Sequence, residues 1–183
     1  MDERSLRPVS TDPTVLAAEE ASPSLHFRSF TSETAWALGH ALRSRILSLP
    51  SAKRKPALVS IALVGTGTQP QVVFQCTTEP GVIPDNEAWV RRKRNTVLRW
   101  GVSSFLMRNR MLTMFGVGPN ELQEAFIKRF AVENASYVLS GGGFPIRLRG
   151  VEGLVGVIAV SGLQMEDDHQ VIVETVEEFI QHN

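Results

Sequence analysis

A chain of 183 residues is long enough to form one domain with a substantial hydrophobic core. Its 19 lysines and arginines equal its 19 aspartates and glutamates, which excludes a net electrostatic attraction to nucleic acid or to an anionic membrane surface. No apolar run approaches the roughly 20 residues of a membrane-spanning helix, and the single cysteine, Cys76, cannot form an intramolecular disulfide. The composition therefore predicts a soluble cytoplasmic protein with no membrane span and no nucleic-acid partner.

The first 25 residues are rich in Ser, Thr, Pro, Glu and Ala and show no regular apolar spacing. A segment with few large apolar side chains buries too little surface to offset the entropy lost on ordering. We therefore expect residues 1–25 to be a disordered N-terminal tail and residues 26–183 to be a single domain.

The first regular elements are a helix and a β-hairpin. Thr31 or Ser32 can cap a helix whose apolar residues recur at helical spacing as far as Pro50. The almost wholly apolar run 57–64 predicts a strand covered on both faces. A second strand, 72–77, follows after a six-residue turn, so the two strands should pair as a hairpin.

A long helix should come next, from Asp85 or Asn86 to about Met114. More than one of its faces is apolar, and a helix that covers a sheet needs only one such face, so the second predicts burial against another subunit. Its first half carries consecutive cations beside Trp89. They either bind an anionic ligand or form a solvated face: Arg91, Arg92, Lys93 and Arg94.

The last third of the chain is organised around a glycine-rich stretch from Tyr137 to Leu163. Seven of the 14 glycines lie there between two apolar runs, a pattern that predicts a kinked strand, a turn and a second strand buried on both faces. A shorter helix over 120–130 precedes it, and a final helix capped by Asp167 or Asp168 follows it. The elements together predict an α/β domain.

No set of residues in the sequence has the spacing of a known catalytic motif. Ser161, Asp168 and His169 are the residue types of a hydrolytic triad, but the serine lacks the flanking glycines of a nucleophile elbow. The four histidines lack zinc-site spacing, and the run 141–143 lacks the Lys-Ser/Thr of a phosphate-binding loop. The catalytic residues are therefore unknown, no metal site is predicted, and the sequence does not decide whether the protein is an enzyme.

Several separated motifs nevertheless resemble those of one family. They are Gly142-Gly-Phe-Pro-Ile146, then Gly153-Leu-Val-Gly156 with Ser161-Gly-Leu163, then Asp167-Asp-His169, together with Asn86, Trp89, Arg92 and Lys93 on the long helix. In this order they resemble the haem-degrading domain family, which includes GlcG-like and HbpS-like proteins, and in particular its largely uncharacterised fungal and bacterial branch. The resemblance covers about residues 27–179.

The resemblance implies a profilin-like α-β-α arrangement, an antiparallel sheet of about five strands with helices on its faces, assembled into homo-oligomers. It also implies a binder of a small ligand, with haem as the named candidate, although fold alone does not dictate function. The alternative is an oligomeric interaction or chaperone-like scaffold without catalysis. The expected ligand-binding residues are Trp89, Lys93, Gly142, Gly143, Phe144, Pro145, Asp168 and His169.

For His169 the sequence leaves two roles open. It is the first candidate for an axial haem ligand among the residues of this chain. A capping or surface role at the start of the last helix is the interpretation that the sequence favours.

Overall fold

The structure is a computed structural model, and it describes residues 3–65, 67 and 69–182. Within these residues a five-stranded sheet is flanked by helices, with a short 3₁₀ turn at Pro23–Leu25. The elements in chain order are α1 (Pro13–Glu20), β1 (His26–Phe27), α2 (Ser32–Leu47), β2 (Leu58–Leu63), β3 (Gln71–Thr77), α3 (Pro84–Trp100), α4 (Ser104–Phe115), α5 (Leu122–Phe130), β4 (Gly143–Leu148), β5 (Gly156–Ser161) and α6 (Met165–His182). No helix in the described ranges is long and apolar enough to cross a bilayer.

The strand order is β1-β4-β5-β2-β3. α2 and α6 pack on one face of this sheet and α3 packs on the other, so the predicted layers are confirmed. The sheet is mixed, however, and not purely antiparallel, because β1 runs parallel to β4 while the other pairs are antiparallel. β1 has only two residues and pairs far along the chain, and neither property leaves a periodic signal in the sequence.

The first helix and the hairpin form where the pattern predicts them. Thr31 is the N-cap of α2, and its hydroxyl accepts the Thr34 backbone N–H at 3.2 Å. β2 and β3 pair antiparallel with a bulge between Ile61 and Ala62. The predicted turn between them includes Thr66 and Thr68, which lie outside the described residues.

The predicted long helix is in fact two helices. α3 ends at Gly101, which takes the left-handed conformation of a C-cap (φ 69°), and α4 begins after Ser103, whose hydroxyl accepts the Leu106 N–H at 2.9 Å. The surplus apolar residues are covered by α5 of the same chain, where Met107 and Met111 pack in one cluster with Leu122 and Phe126. These residues therefore give no support to burial of that face against another subunit.

Residues 3–25 include α1 and contact the rest of the chain, although the sequence predicts a disordered tail over 1–25; residues 1 and 2 lie outside the described ranges. Leu16 of α1 is fully buried in a cluster with Phe105 and Leu106. The Arg7 guanidinium pairs with Glu177 at 2.6 Å, and the Arg7 N–H donates to Glu174 at 2.6 Å. The order of this segment comes from contacts with residues far along the chain, which local composition does not report.

Candidate functional site

A buried ion pair joins α3 to α6 beside the adjacent ends of β4 and β5. Lys93 Nζ donates to Asp168 Oδ2 at 2.8 Å and to the carbonyl oxygen of Val160 at 2.8 Å. The two side chains are only 2% and 3% exposed. Asp168 Oδ1 accepts the Leu163 N–H at 3.0 Å. A lysine ammonium has three donors, so these two contacts leave Lys93 one N–H.

Glycines in the run before β4 make room for this pair. Gly142 has φ 103°, and a Cβ placed on it would lie 2.8 Å from both Lys93 Nζ and the Asp168 Cβ. Its carbonyl oxygen accepts the Val160 N–H at 2.8 Å, which extends the β4–β5 pairing to the residue before the start of β4. The run therefore has no room for side chains at the point where Lys93 reaches across to Asp168.

A cavity of about 240 Å³ lies over the pair. Trp89 stands at its rim with 40% of the residue exposed. The hydroxyls of Ser140 and Ser161 make no hydrogen bond to another group in the described part of the chain. The lining residues are Asn86, Trp89, Lys93, Ser140, Ser161, Gly162, Leu163, Met165 and Asp168.

Asn86 fixes the start of α3 against the end of β5. Its Nδ2 donates to the carbonyl oxygen of Ser161 at 3.1 Å, and its Oδ1 accepts the Ile83 N–H at 3.0 Å. Asn86 therefore holds this wall of the cavity in place between the start of α3 and the end of β5.

The electrostatics of the site are those of a dry, paired carboxylate. Burial raises the pKa of the Asp168 carboxyl above its usual range, and the Lys93 ammonium and the N–H groups of Leu163 and Gly162 act in the opposite direction. The pair as a whole is neutral. The third N–H of Lys93 has no acceptor among the described residues.

The structure brings together four of the residues that the sequence singled out: Trp89, Lys93 and Asp168 line the cavity, and Gly142 packs against the pair. Gly143 lies behind them, and its N–H donates to the Ser104 hydroxyl at 2.9 Å. The remaining three, Phe144, Pro145 and His169, are buried and do not line the cavity.

The prediction of a capping or surface role for His169 is wrong. α6 begins at Met165, so His169 and both expected caps, Asp167 and Asp168, lie inside the helix. The His169 ring is fully buried, stacked 4.9 Å from Phe105, and neither ring nitrogen has a hydrogen-bond partner. This burial lowers the pKa of His169 to about 3.

The four consecutive cations of α3 are not one solvated face. Lys93 and Arg94 are buried, and only Arg91 is fully at the surface. Arg94 Nη2 donates to the Ser60 hydroxyl at 2.8 Å. The adjacent positions point in different directions around the helix, which a run of like charges in the sequence conceals.

Several lining residues were not among the expected binding residues. They are Ser140, Ser161, Gly162, Leu163 and Met165, with Asn86, which the sequence offers as a helix cap and as part of the family motif but not as a binding residue. Ser161 is the last residue of β5 and Gly162 and Leu163 follow it directly, and loops at strand ends are common positions for binding groups. That location is the signal that could have found them.

Neither a triad nor a haem site fits these residues. His169 has no hydrogen bond to Ser161 or to any other described group, so the serine has no base. The same burial removes His169 as an axial ligand, and the ammonium of Lys93 is held by Asp168, so the Met165 thioether is the remaining candidate ligand in the lining. The cavity, at about 240 Å³, is also below the 300–1,000 Å³ that is usual for larger ligands.

Comparison with known proteins gives the family. The model of the family "Haem degrading protein HbpS-like" matches residues 30–177. A UPF0303 protein of Streptomyces coelicolor is 36% identical over 170 residues, covering 93% of this chain and 96% of the relative. A UPF0303 protein of Edwardsiella ictaluri is 39% identical over 165 residues, covering 90% of this chain and 92% of the relative.

Solved structures share the fold. The crystal structure of the Ybr137w protein matches with a TM-score of 0.77 and 26% identity, covering 96% of this chain and 90% of the other. The crystal structure of HbpS matches with a TM-score of 0.55 and 15% identity, covering 81% of this chain and 88% of the other, and this likeness shows the fold alone. The family-model match and the full-length relatives together carry one conclusion: the chain belongs to the HbpS-like family of haem-degrading proteins.

Proposed function

We propose that this protein binds a small, oxygen-bearing molecule in the cavity over the Lys93–Asp168 pair. The observation that carries this proposal is the cavity itself, whose floor is a buried ammonium with one N–H left over. A carbonyl, carboxylate or hydroxyl oxygen of a ligand is the natural acceptor for that N–H. The ligand replaces the water that the ammonium loses on burial.

The rest of the lining supports a ligand of this class. The free hydroxyls of Ser140 and Ser161 can donate to, or accept from, a second oxygen. Trp89 and Leu163 provide apolar surface for a short carbon skeleton. A volume of about 240 Å³ suits a molecule of a few carbon atoms, such as a short keto or hydroxy acid or a polyol.

The test is calorimetric titration of the full chain with pyruvate, lactate and glycerol. The Trp89→Ala variant removes the rim and should weaken binding about tenfold, and Ser161→Ala should weaken it by a few fold, the cost of one hydrogen bond. Trp36→Ala is the matched control, because Trp36 is an exposed tryptophan that does not line the cavity. Equal loss of affinity in Trp36→Ala and Trp89→Ala would refute this site.

Haem is the competing ligand, since the family is named for it. Titration with haem should give no shifted Soret band that depends on Trp89 or Ser161, because the lining contains no histidine, cysteine or tyrosine, Lys93 is held by Asp168, and the Met165 thioether has no histidine in the lining to complete a Met/His ligand pair. A Soret shift that Trp89→Ala abolishes would assign haem to the cavity instead of a small acid or polyol.

A second proposal, homo-oligomerisation, rests on a different observation. β3 pairs only with β2, so its outer edge is open among the described residues, and Trp36, 63% exposed, lies beside it with its ring 5.8 Å from Phe74. An open edge strand next to an exposed aromatic side chain can pair with the same strand of a second copy around a two-fold axis. Sedimentation at micromolar concentration should give at least a dimer, and a monomer would contradict the proposal.

Location in the cytoplasm stays a prediction that the lone cysteine supports. Fractionation of cells that produce the full chain tests it, because a protein recovered with the membrane or secreted fraction would contradict it.

A further inference from the structure

A second cavity, separate from the Lys93–Asp168 site, lies between the end of α1 and the start of α4. Its volume is about 240 Å³. The residues that line it are Ala17, Glu20, Ala21, His26, Val102, Leu106, Arg110 and Arg147. None of them lines the cavity over Lys93.

Glu20 is the unusual member of this lining. It is 7% exposed, and its Oε2 accepts the Ser103 N–H at 3.0 Å, which ties α1 to the N-terminus of α4. Its Oε1 is buried and has no hydrogen-bond partner among the described residues. Burial raises the pKa of this carboxyl, while the contacts with Ser103 and the charges of Arg110 and Arg147 act in the opposite direction. As a carboxylate, Glu20 keeps one buried oxygen to which no described residue donates a hydrogen bond, and such an oxygen is costly unless a bound molecule supplies the donor.

The surrounding charges restrict what that donor can be. Arg110 and Arg147 also line the cavity. The guanidinium of Arg147 already donates to the carbonyl oxygens of Gly101 and Gly153, whereas Arg110 is exposed and has no hydrogen-bond or ion-pair partner in the described ranges. A bare metal cation is disfavoured beside two arginines because like charges repel. A simple anion has no hydrogen-bond donor to offer the free oxygen of Glu20.

A molecule that carries both a hydrogen-bond donor and a carboxylate can pair with Glu20 and with Arg110 at the same time. We propose that this cavity binds a small zwitterion, an α-amino acid with a short apolar side chain. Its ammonium donates to Glu20 Oε1, its carboxylate pairs with Arg110, and its side chain packs against Val102 and Leu106.

The test is calorimetric titration of the full chain with L-alanine and L-valine. We expect dissociation constants on the order of 1 mM or tighter for at least one of them. Propionate lacks the ammonium and ethylamine lacks the carboxylate, so each should bind at least about tenfold more weakly than alanine, the usual effect of losing a charged hydrogen bond.

Two variants and a control assign the contacts. Glu20→Gln keeps an acceptor for the Ser103 N–H and removes the charge, and it should lower the affinity about tenfold. Arg110→Gln, at an exposed position that can be changed without disturbing the core, should do the same and decides the question even if Glu20→Gln does not fold. Arg99→Gln, another exposed arginine that does not line this cavity, should leave the affinity unchanged.

Three outcomes overturn the proposal. Absence of binding by both amino acids at 10 mM, roughly tenfold above the expected constant, means that Glu20 Oε1 is met by water only. Equal affinities for propionate and alanine mean that Arg110 binds anions without Glu20. An unchanged affinity in Arg110→Gln places the amino acid elsewhere.

Discussion

The buried charges of Lys93 and Asp168 restrict which residues these two positions can tolerate. Each side chain has been removed almost completely from water, and each has the other as its counter-charge. Breaking a buried pair from one side leaves an uncompensated charge, whereas removing both charges leaves none. The pair is therefore expected to be strongly coupled in stability and to be replaceable only as a unit.

This coupling can be measured with a double-mutant cycle. Lys93→Met and Asp168→Asn should each lower the free energy of unfolding by about 3–5 kcal/mol, measured by urea denaturation. The double variant should lose less than the sum of the two single losses by at least about 1 kcal/mol, because residues in contact do not act independently. Strictly additive losses would contradict a direct pair.

The buried, neutral ring of His169 predicts that the free energy of unfolding falls in acid. With a pKa of about 3 in the folded chain and about 6.5 in the unfolded chain, the unfolded state binds one more proton between these values. The contribution of His169 to stability is therefore fully present above pH 6.5 and is lost as pH falls, by about 1.4 kcal/mol per pH unit.

The His169→Phe variant tests this assignment because phenylalanine does not titrate. Its free energy of unfolding should fall less steeply between pH 6.5 and 4.5 than that of the original chain, by about 1.4 kcal/mol per unit. Each chain serves as its own reference at pH 7, so any change in packing against Phe105 cancels in the comparison. Parallel pH profiles for the two chains would show that another group carries the acid sensitivity.

At the scale of whole elements, the sequence was reliable where a local signal exists. The Thr31 cap predicted the start of α2, and the apolar runs predicted the β2–β3 hairpin and the strands β4 and β5. It failed where the deciding contact is distant. α1 forms because Leu16 packs against Phe105 and Leu106, which are far along the chain. The break between α3 and α4 does have local signals, the left-handed Gly101 and the Ser103 cap, but the apolar residues on both sides of it gave the pattern of one continuous helix.

The docking of α1 gives a prediction at this scale. Leu16→Ala should lower the free energy of unfolding by about 2–5 kcal/mol, the usual cost of emptying a buried leucine site. Val15→Ala, at the adjacent and exposed position, should change it by less than about 0.5 kcal/mol. Urea denaturation measures both, and limited proteolysis at residues 3–25 shows whether the segment detaches on its own. Equal stability of the two variants would contradict the docking of α1 and would support the prediction of a disordered tail.

For the molecule as a whole, the candidate site was predictable in part. Trp89, Lys93, Gly142 and Asp168 could be named from motifs in the sequence, but the ion pair could not, because 75 positions separate its two members and nothing local relates them. Phe144 and His169 looked the same in the sequence as the lining residues. They lie in the core because strand and helix neighbours point to different faces.

Assembly is also a property of the whole molecule, and it predicts how thermal stability depends on concentration. If the open edge of β3 and the exposed Trp36 pair with a second copy, association and folding are linked by mass action, and the melting temperature must rise with protein concentration. For a dimer of this size a tenfold increase in concentration should raise the melting temperature by about 2 °C.

Two variants test whether this interface causes the concentration dependence. Trp36→Glu places a charge in the interface and should abolish the dependence. Ile83→Glu, at an exposed apolar position away from β3 and α2 in the chain, should preserve it. Scanning calorimetry over a hundredfold range of concentration, about 4 °C in expected shift, separates these outcomes, and a melting temperature that stays constant for the original chain would leave β3 as an edge without a partner.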